Sequence, residues 1–387
     1  LVSEEILVSN SGDIIMLRTG SLAYGQDFLA AQMRAEGGFL ALEKRNGVYP
    51  VESVRTAKAV VGENPNDGEE ARALNYLGRT NRLAVAVCVH CQWEYYSDGE
   101  RANIAHALDA AAIGITPAEF LTDRMRARFG KVSWKTVDGC VDTRRFCPST
   151  RAERVQFRSR FGLAQDDKFV LFAGRLETAK GTKILEDVCA CPRREFAILV
   201  QYPAWDNVRE KAALFRSYMD ICDRLSKFPD VHFLPDRDPR SSPRPVRFAD
   251  IFVSASLSEV QPLVLLEALA SGVPFVGTDS TPAYAELQDR FGDSPTLSSA
   301  IETIDLPYGM CQGAVPRSTE LSDSASRAIA NELVEAINRK AIPDDSVRAA
   351  VSSEFVDRGF TVRDRHEKFR QVLEDDRPQD AFSCSAA

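Results

Sequence analysis

Two short segments hold the residues whose types and spacing suit the binding of a phosphate and of ligand hydroxyls. In Lys168–Val188, KFVLFAGRLETAKGTKILEDV, an apolar run ends at Ala173 and Gly174 allows a tight turn. Arg175 and Lys180 follow, and Gly181 opens a helical pattern. Two cations and the unpaired N–H groups of a helix N-terminus then meet at one point. That combination suits a phosphate, because the dipole attracts the anion and arginine supplies a bidentate fork. A solvated surface loop is the competing reading. In Asp250–Thr278, DIFVSASLSEVQPLVLLEALASGVPFVGT, a strand pattern delivers a loop with Ser258 and Glu259. Pro262 falls where the first helical turn begins, a favoured place for proline, and Gly272 stops the helix. That helix is apolar on nearly every side and is expected to be buried. Yet Glu267 sits in its middle, on the stripe of Leu263 and Ala270. A carboxylate there is costly without a strong partner. Either an internal arginine or the hydroxyl groups of a ligand would supply one. Glu259, in the preceding loop, is expected to face the same crevice.

The elements that must position these residues alternate between strand and helix patterns. Strand-like runs lie at Asp13–Arg18, Lys58–Val61, Leu83–His90, Ala111–Thr116 and Val132–Val137. They resume at Phe169–Ala173, Phe196–Val200, His232–Leu234, Ile251–Ser254 and Phe275–Thr278. Helical patterns cover Gln26–Glu36, Pro117–Phe129, Lys183–Val188, Val208–Lys227, Pro262–Ser271 and Ser324–Asn338. The alternation predicts βαβ units and parallel sheets covered on both faces, hence an α/β fold. The polar, turn-rich stretch Cys147–Asp167 is read as a boundary. It divides the chain into domains at 1–150 and 151–355, with a closing helix at 356–375 that crosses back to the first. The tail Asp376–Ala387 is expected to fray.

The length of 387 residues suits two such domains. With 48 basic and 56 acidic side chains the formal charge is -8, which argues against non-specific grip on nucleic acid. No apolar run approaches the roughly 20 residues that span a bilayer. The nine cysteines are odd in number and scattered, which fits reduced thiols in the cytoplasm. Cys88 and Cys91 form a CxxC, but with Cys140 and Cys147 they lack finger-like zinc spacing. No charged stretch followed by an apolar one opens the chain, so no leader is expected, and a start at Leu1 suggests that N-terminal sequence is missing.

Taken together, the two charged segments resemble the retaining family-four glycosyltransferases of the GT-B fold, the glycosyl transferases group 1. The first is similar to the family's Gly-Arg-Leu-x-x-x-Lys-Gly segment, the second to its Glu-seven-Glu motif with EALASGVPFV. DGCVDTRRFCP (Asp138–Pro148) resembles the interdomain Asn-Gly-Val-Asp-x-x-x-Phe-x-Pro, and DAAAIGITPAEFLTDRM (Asp109–Met125) the strand and helix before it. The resemblance covers about Leu83 to Phe369. It implies two doubly wound Rossmann-like domains facing a central cleft, the first binding the acceptor and the second a nucleotide sugar. Carried over, Arg175 and Lys180 hold the donor diphosphate, Glu267 the ribose hydroxyls, and Glu259 the transferred sugar. Gly174 and the backbone of Gln261, Pro262 and Leu263 line the phosphate or sugar, and the strand end at Leu234 lies against the base. In AVCVHCQ, His90 matches the active-site histidine.

Departures from the family pattern bear on the site. The usual Gly-Phe-Gly after the first glutamate is Val260-Gln261-Pro262, and proline removes a backbone donor. Gln201-Tyr202-Pro203 stands where a Gly-rich turn is usual, and only GSLAYGQDF (Gly20–Phe28) is placed to replace the N-terminal Gly-Gly loop. The Asp236–Asp238 DRD mimics a metal-binding pair but follows the base-binding strand, so no metal is assigned. The resemblance implies metal-independent transfer of a hexosyl group from a UDP- or GDP-sugar to a hydroxyl-bearing small molecule, glycan or lipid. No further cofactor is required, because the two cations stabilise the departing diphosphate. A sugar-nucleotide epimerase or phosphorylase of the same fold, or a non-catalytic nucleotide-sugar-binding protein, is the alternative. Arg124, Arg126 and Arg128, with Lys131 and Lys135, form either a solvated basic face or a weak peripheral membrane contact.

Overall fold

In the computed structural model, residues 14–18, 39–43, 59–63, 65, 68–80, 84–203, 212–236, 244–306 and 321–375 are described. The expected helix Gln26–Glu36, the Gly20–Phe28 loop, Arg237 and Asp238 of the DRD run and the tail from Asp376 lie outside them. The chain divides into two units, Leu1–Cys140 with Thr361–Ala387, and Val141–Phe360.

The first unit contains a six-stranded parallel sheet. Its strands are β1 (Ile14–Arg18), β2 (Phe39–Glu43), β3 (Ala59–Glu63), β4 (Ala84–Cys88), β5 (Ile113–Thr116) and β6 (Ser133–Thr136). They lie in the order β2-β1-β3-β4-β5-β6. Helices α1 (Gly68–Arg79), α2 (Asp98–Leu108) and α3 (Glu119–Arg128) connect them. A capping box starts α2: the Ser97 hydroxyl accepts from the Glu100 amide, and the Glu100 carboxylate accepts from that of Ser97.

The second unit holds α4 (Arg151–Ser159), β7 (Phe169–Ala173), α5 (Thr182–Ala190), β8 (Ala197–Pro203), α6 (Ala212–Leu225) and β9 (Val231–Asp236). It continues with β10 (Ile251–Ser254), α7 (Leu263–Ala270), β11 (Phe275–Thr278), α8 (Ala283–Phe291) and α9 (Pro295–Ala300). β12 (Ile301–Ile304), α10 (Asp323–Arg339) and α11 (Asp345–Asp357) complete it, and α12 (Val362–Asp375) belongs to the first unit. The parallel order is β12-β11-β10-β7-β8-β9. Along β7, Phe169 and Leu171 enter one apolar cluster and Val170 and Phe172 the other. Both sheet faces are thus covered, which explains why the strand reads as continuously apolar.

The stretch read as a boundary proves to contain α4. Thr150 and Glu153 form its capping box, and the helix buries Arg154, Phe157 and Arg158. A polar sequence hid a helix whose arginines point inward. Arg158 donates to Asp250 at 2.5 Å, and Arg348 of α11 donates to the same oxygen at 3.2 Å. The other Asp250 oxygen accepts from the Phe169 amide at 2.9 Å. One buried carboxylate therefore ties α4, α11 and the start of β7 together. At the far end of α7, Gly272 has φ 66°, and a Cβ there would overlap the Arg348 backbone. Val141 and Phe360, the first and last residues of the unit, are joined by an amide-to-carbonyl hydrogen bond of 2.9 Å.

Candidate active site

In the second sheet the strand order reverses between β7 and β10. Chain connections leave this gap in opposite directions, which opens a crevice at the carboxyl ends of the strands. The two charged segments are the loops that leave those two strands. Their placement is thus fixed by topology before any side chain is considered.

The loops are locked together. Gly181 adopts φ 69° as the N-cap of α5, and a Cβ there would overlap the Ala255 carbonyl after β10. Only glycine permits both the left-handed turn and this approach. The Leu257 amide donates to the Ala179 carbonyl at 2.9 Å. Across this seam, Lys180 Nζ lies 2.5 Å from Glu259 Oε1. Ser256 Oγ donates to the same carboxylate oxygen at 2.9 Å. The Glu259 amide donates to the Ser280 carbonyl at 3.2 Å, which fixes the loop from its other side. Gly174 is not the left-handed residue of the turn, a role that falls to Gly181, but a Cβ on Gly174 would meet open space.

Arg175 points its Nη1 at Glu177, 3.2 Å from Oε1 and 3.1 Å from Oε2. Each of the two expected phosphate ligands thus carries a carboxylate partner.

Glu267 occupies a different setting from Glu259. Pro262 is the N-cap of α7, one residue before the helix proper. Leu265, Leu266, Ala268 and Leu269 bury the inner side. Leu263, Val264 and Glu267 form a partly exposed stripe, so α7 is not buried all round as its composition suggested. The stripe follows i, i+3 and i+4 spacing. Burial pushes the Glu267 carboxyl up to about 7, while nearby Arg244 and Arg145 pull it down and Asp236 pushes it up. Arg244 Nη1 is 3.3 Å from Asp236 Oδ2, which also accepts from Gln201 Nε2 at 3.1 Å. The Arg244 guanidinium lies 5.6 Å from the centre of the Phe146 ring. Asp236 is therefore engaged by Arg244 and Gln201.

The raised Glu267 value makes a pH-dependent contribution to stability. The folded chain keeps this proton up to about 7, whereas the ordinary value is 4.5. Between those values the folded state binds more protons, so this contribution is present below 4.5 and is lost as pH rises through about 7. Urea midpoints of the parent chain and Glu267→Gln, measured from pH 5 to 8, should diverge in that direction. Parallel curves would remove the assignment.

Leu234 lies within β9 and not at its end, paired in register with Gln201, and is partly exposed. Gln261 is partly exposed and Pro262 buried. His90 is in the first unit, two residues past β4, and is buried. The structure brings Lys180 to Glu259, while Glu267 forms no such pair among the described residues and feels the charges of Arg244 and Arg145. Sequence reasoning missed Arg145, Arg244 and Glu177. Arg145 stands in the interdomain segment that drew notice, but nothing in its spacing pairs it with a residue far along the chain. On α3, Arg126 pairs with Asp123 at 2.5 Å, and Arg128 lies 3.7 Å from Glu94. Among the described residues no His, Cys, Asp and Glu side chains group as a metal site, and no helix is long and apolar enough to cross a membrane.

Residues 167–294 match the family model of glycosyl transferases group 1. A solved glycosyltransferase from Rickettsia africae ESF-5 is similar over 97% of this chain and 100% of its own, with TM-score 0.67 and 11% identity. Anabaena Alr3699/HepE, solved in complex with UDP and glucose, is similar over 94% of this chain and 99% of its own, with TM-score 0.67 and 13% identity. The fold is GT-B, and within it residues 167–294 are similar to the glycosyl transferases group 1. The GT-B chain is also 31% identical over 171 residues to the D-inositol 3-phosphate glycosyltransferase of Nocardia farcinica. That match covers 43% of this chain and 36% of the relative. The matched segment contains Arg175, Lys180, Glu259 and Glu267, whereas His90 and Arg145 fall outside it.

Proposed function

We propose that the chain is a glycosyltransferase that moves a sugar from a nucleoside-diphosphate sugar to a hydroxyl acceptor. The observation that carries this reading is the Lys180–Glu259 contact at the strand-order reversal. It sets a phosphate-binding cation beside a carboxylate suited to sugar hydroxyls. The UDP and glucose bound to the similar Anabaena protein support a UDP-sugar donor, with a GDP-sugar as the other candidate.

In this reading Arg175, Lys180 and the α5 N-terminus hold the diphosphate. As the glycosidic bond breaks, negative charge builds on the leaving phosphate and those groups stabilise it. They do so without a metal ion. Glu267 accepts from the ribose hydroxyls, and Glu259 from those of the transferred sugar. Gly174, Gln261, Leu263 and Leu234 line the donor, and Pro262 contributes no amide donor at the helix start. His90 takes the role of the family's active-site histidine, as the resemblance implies. Anomeric configuration is retained by same-face attack, with the departing phosphate accepting the acceptor's proton.

A thermal-shift screen with UDP-, GDP-, ADP- and dTDP-glucose tests this. A donor at about 100 times its Kd stabilises by about 2.7 kcal/mol. One of the UDP- and GDP-sugars should raise Tm, and Arg175→Ala and Glu267→Ala should each remove most of the shift. No shift with any donor, or full shifts in both variants, rejects the reading.

A further inference from the structure

Arg175 is held in an asymmetric way. Its Nη1 is engaged by both oxygens of Glu177. Among the described residues no hydrogen bond is made by its Nη2 or Nε, the two donors along the adjacent edge of the fork. That edge matches two oxygens of a phosphate. Glu177 is itself anchored. Tyr218 of α6, only 1% exposed, donates its hydroxyl to Glu177 Oε1 at 3.4 Å. The Leu176 amide hydrogen-bonds to the same hydroxyl. A rigid helix thus reaches the loop through one phenol. A line of contacts runs from Tyr218 through Glu177 to Arg175 and ends on an uncommitted guanidinium edge.

We infer that Glu177 and Tyr218 are positioning residues, which aim the Nη2 and Nε edge of Arg175 at the donor diphosphate. The inference rests on the donor-site reading above. Glu177 engages one nitrogen and leaves the edge that binds, so it orients the cation and does not compete for it. An arginine on a loop otherwise loses side-chain freedom on binding, and holding it beforehand lowers that cost. The geometry also assigns a function to Tyr218, whose sequence position gives no hint of the site.

The test uses calorimetry of the full chain with UDP, GDP and the matching nucleosides. Glu177→Ala should weaken diphosphate binding about tenfold, as expected for one lost hydrogen bond to a charged group. Nucleoside binding should stay unchanged, a split that a general loss of structure does not give. Tyr218→Phe should cause a smaller loss with the same split, and Glu177→Gln, which keeps an acceptor oxygen, should restore most of the affinity. Undiminished or tighter diphosphate binding by Glu177→Ala overturns the positioning role and makes Glu177 a competitor. Equal loss of nucleoside and diphosphate binding also overturns it. If Arg175→Ala retains full affinity, or the parent chain binds neither diphosphate, the donor-site reading fails first.

Discussion

Asp250→Ala should destabilise the second unit by about 3–5 kcal/mol, the usual cost of removing one member of a buried ionic group. Its carboxylate is fully buried and faces Arg158 and Arg348, of which the latter is also fully buried. Without it, both guanidinium groups keep only carbonyl partners. Those are Gln165, Asp167 and Phe248 for Arg158, the nearest at 3.0 Å, and Pro343, Arg247 and Ala249 for Arg348, the nearest at 2.6 Å. Burial already pushes Arg348 down to about 10, with Arg154 adding to the effect and Asp250 opposing it. The Phe169 amide at the start of β7 also loses its acceptor. Since most domains hold only about 5–15 kcal/mol in all, the variant should melt far below the parent chain. Asp250→Asn should fall between them, because an amide oxygen still accepts while the charge is gone. Urea unfolding reads the result. A loss below about 1 kcal/mol would match a single ordinary hydrogen bond and defeat the argument.

Lys180→Met should cost about a hundredfold in affinity for the donor diphosphate, the upper range for one charge-assisted hydrogen bond. Methionine keeps the length of the side chain and removes only the charge and its donors. The change also strips Glu259 of its cation, leaving Ser256 as a partner of that carboxylate. The Lys180 and Glu259 side chains are 22% and 13% exposed, so water repays little of that loss. Glu259→Gln separates the two effects. Calorimetry should show it binding the bare nucleoside diphosphate almost as the parent does, but binding the nucleotide sugar more weakly. Full diphosphate binding by Lys180→Met rejects the anion site.

The fold and half of the site were legible because both rest on short-range pattern. An apolar run such as FVLFA ending in a Gly-Arg turn marks a buried parallel strand and its loop. Gly181 was legible as the opening of α5, but not as the point where two loops touch, since Ala255 lies far along the chain. Two strands were missed. Ile301–Ile304 is short and half polar, and Phe39–Glu43 is five residues at the sheet edge. α4 was missed because inward-pointing arginines look like surface residues until Asp250 is seen to receive one. The surroundings of Glu267 were hidden for a related reason. Sequence physics demanded a cation or a ligand for that carboxylate, and Arg244 and Arg145, from segments with no periodicity of their own, only partly offset its burial.

The Val141–Phe360 hydrogen bond has a consequence for how such a chain could have been assembled. The second unit begins and ends at one doorway, so its 220-residue path closes on itself. A module with adjacent ends can be transplanted or circularly permuted without stretching its host. α12 resumes the first unit, which makes the host discontinuous in sequence while its guest is continuous.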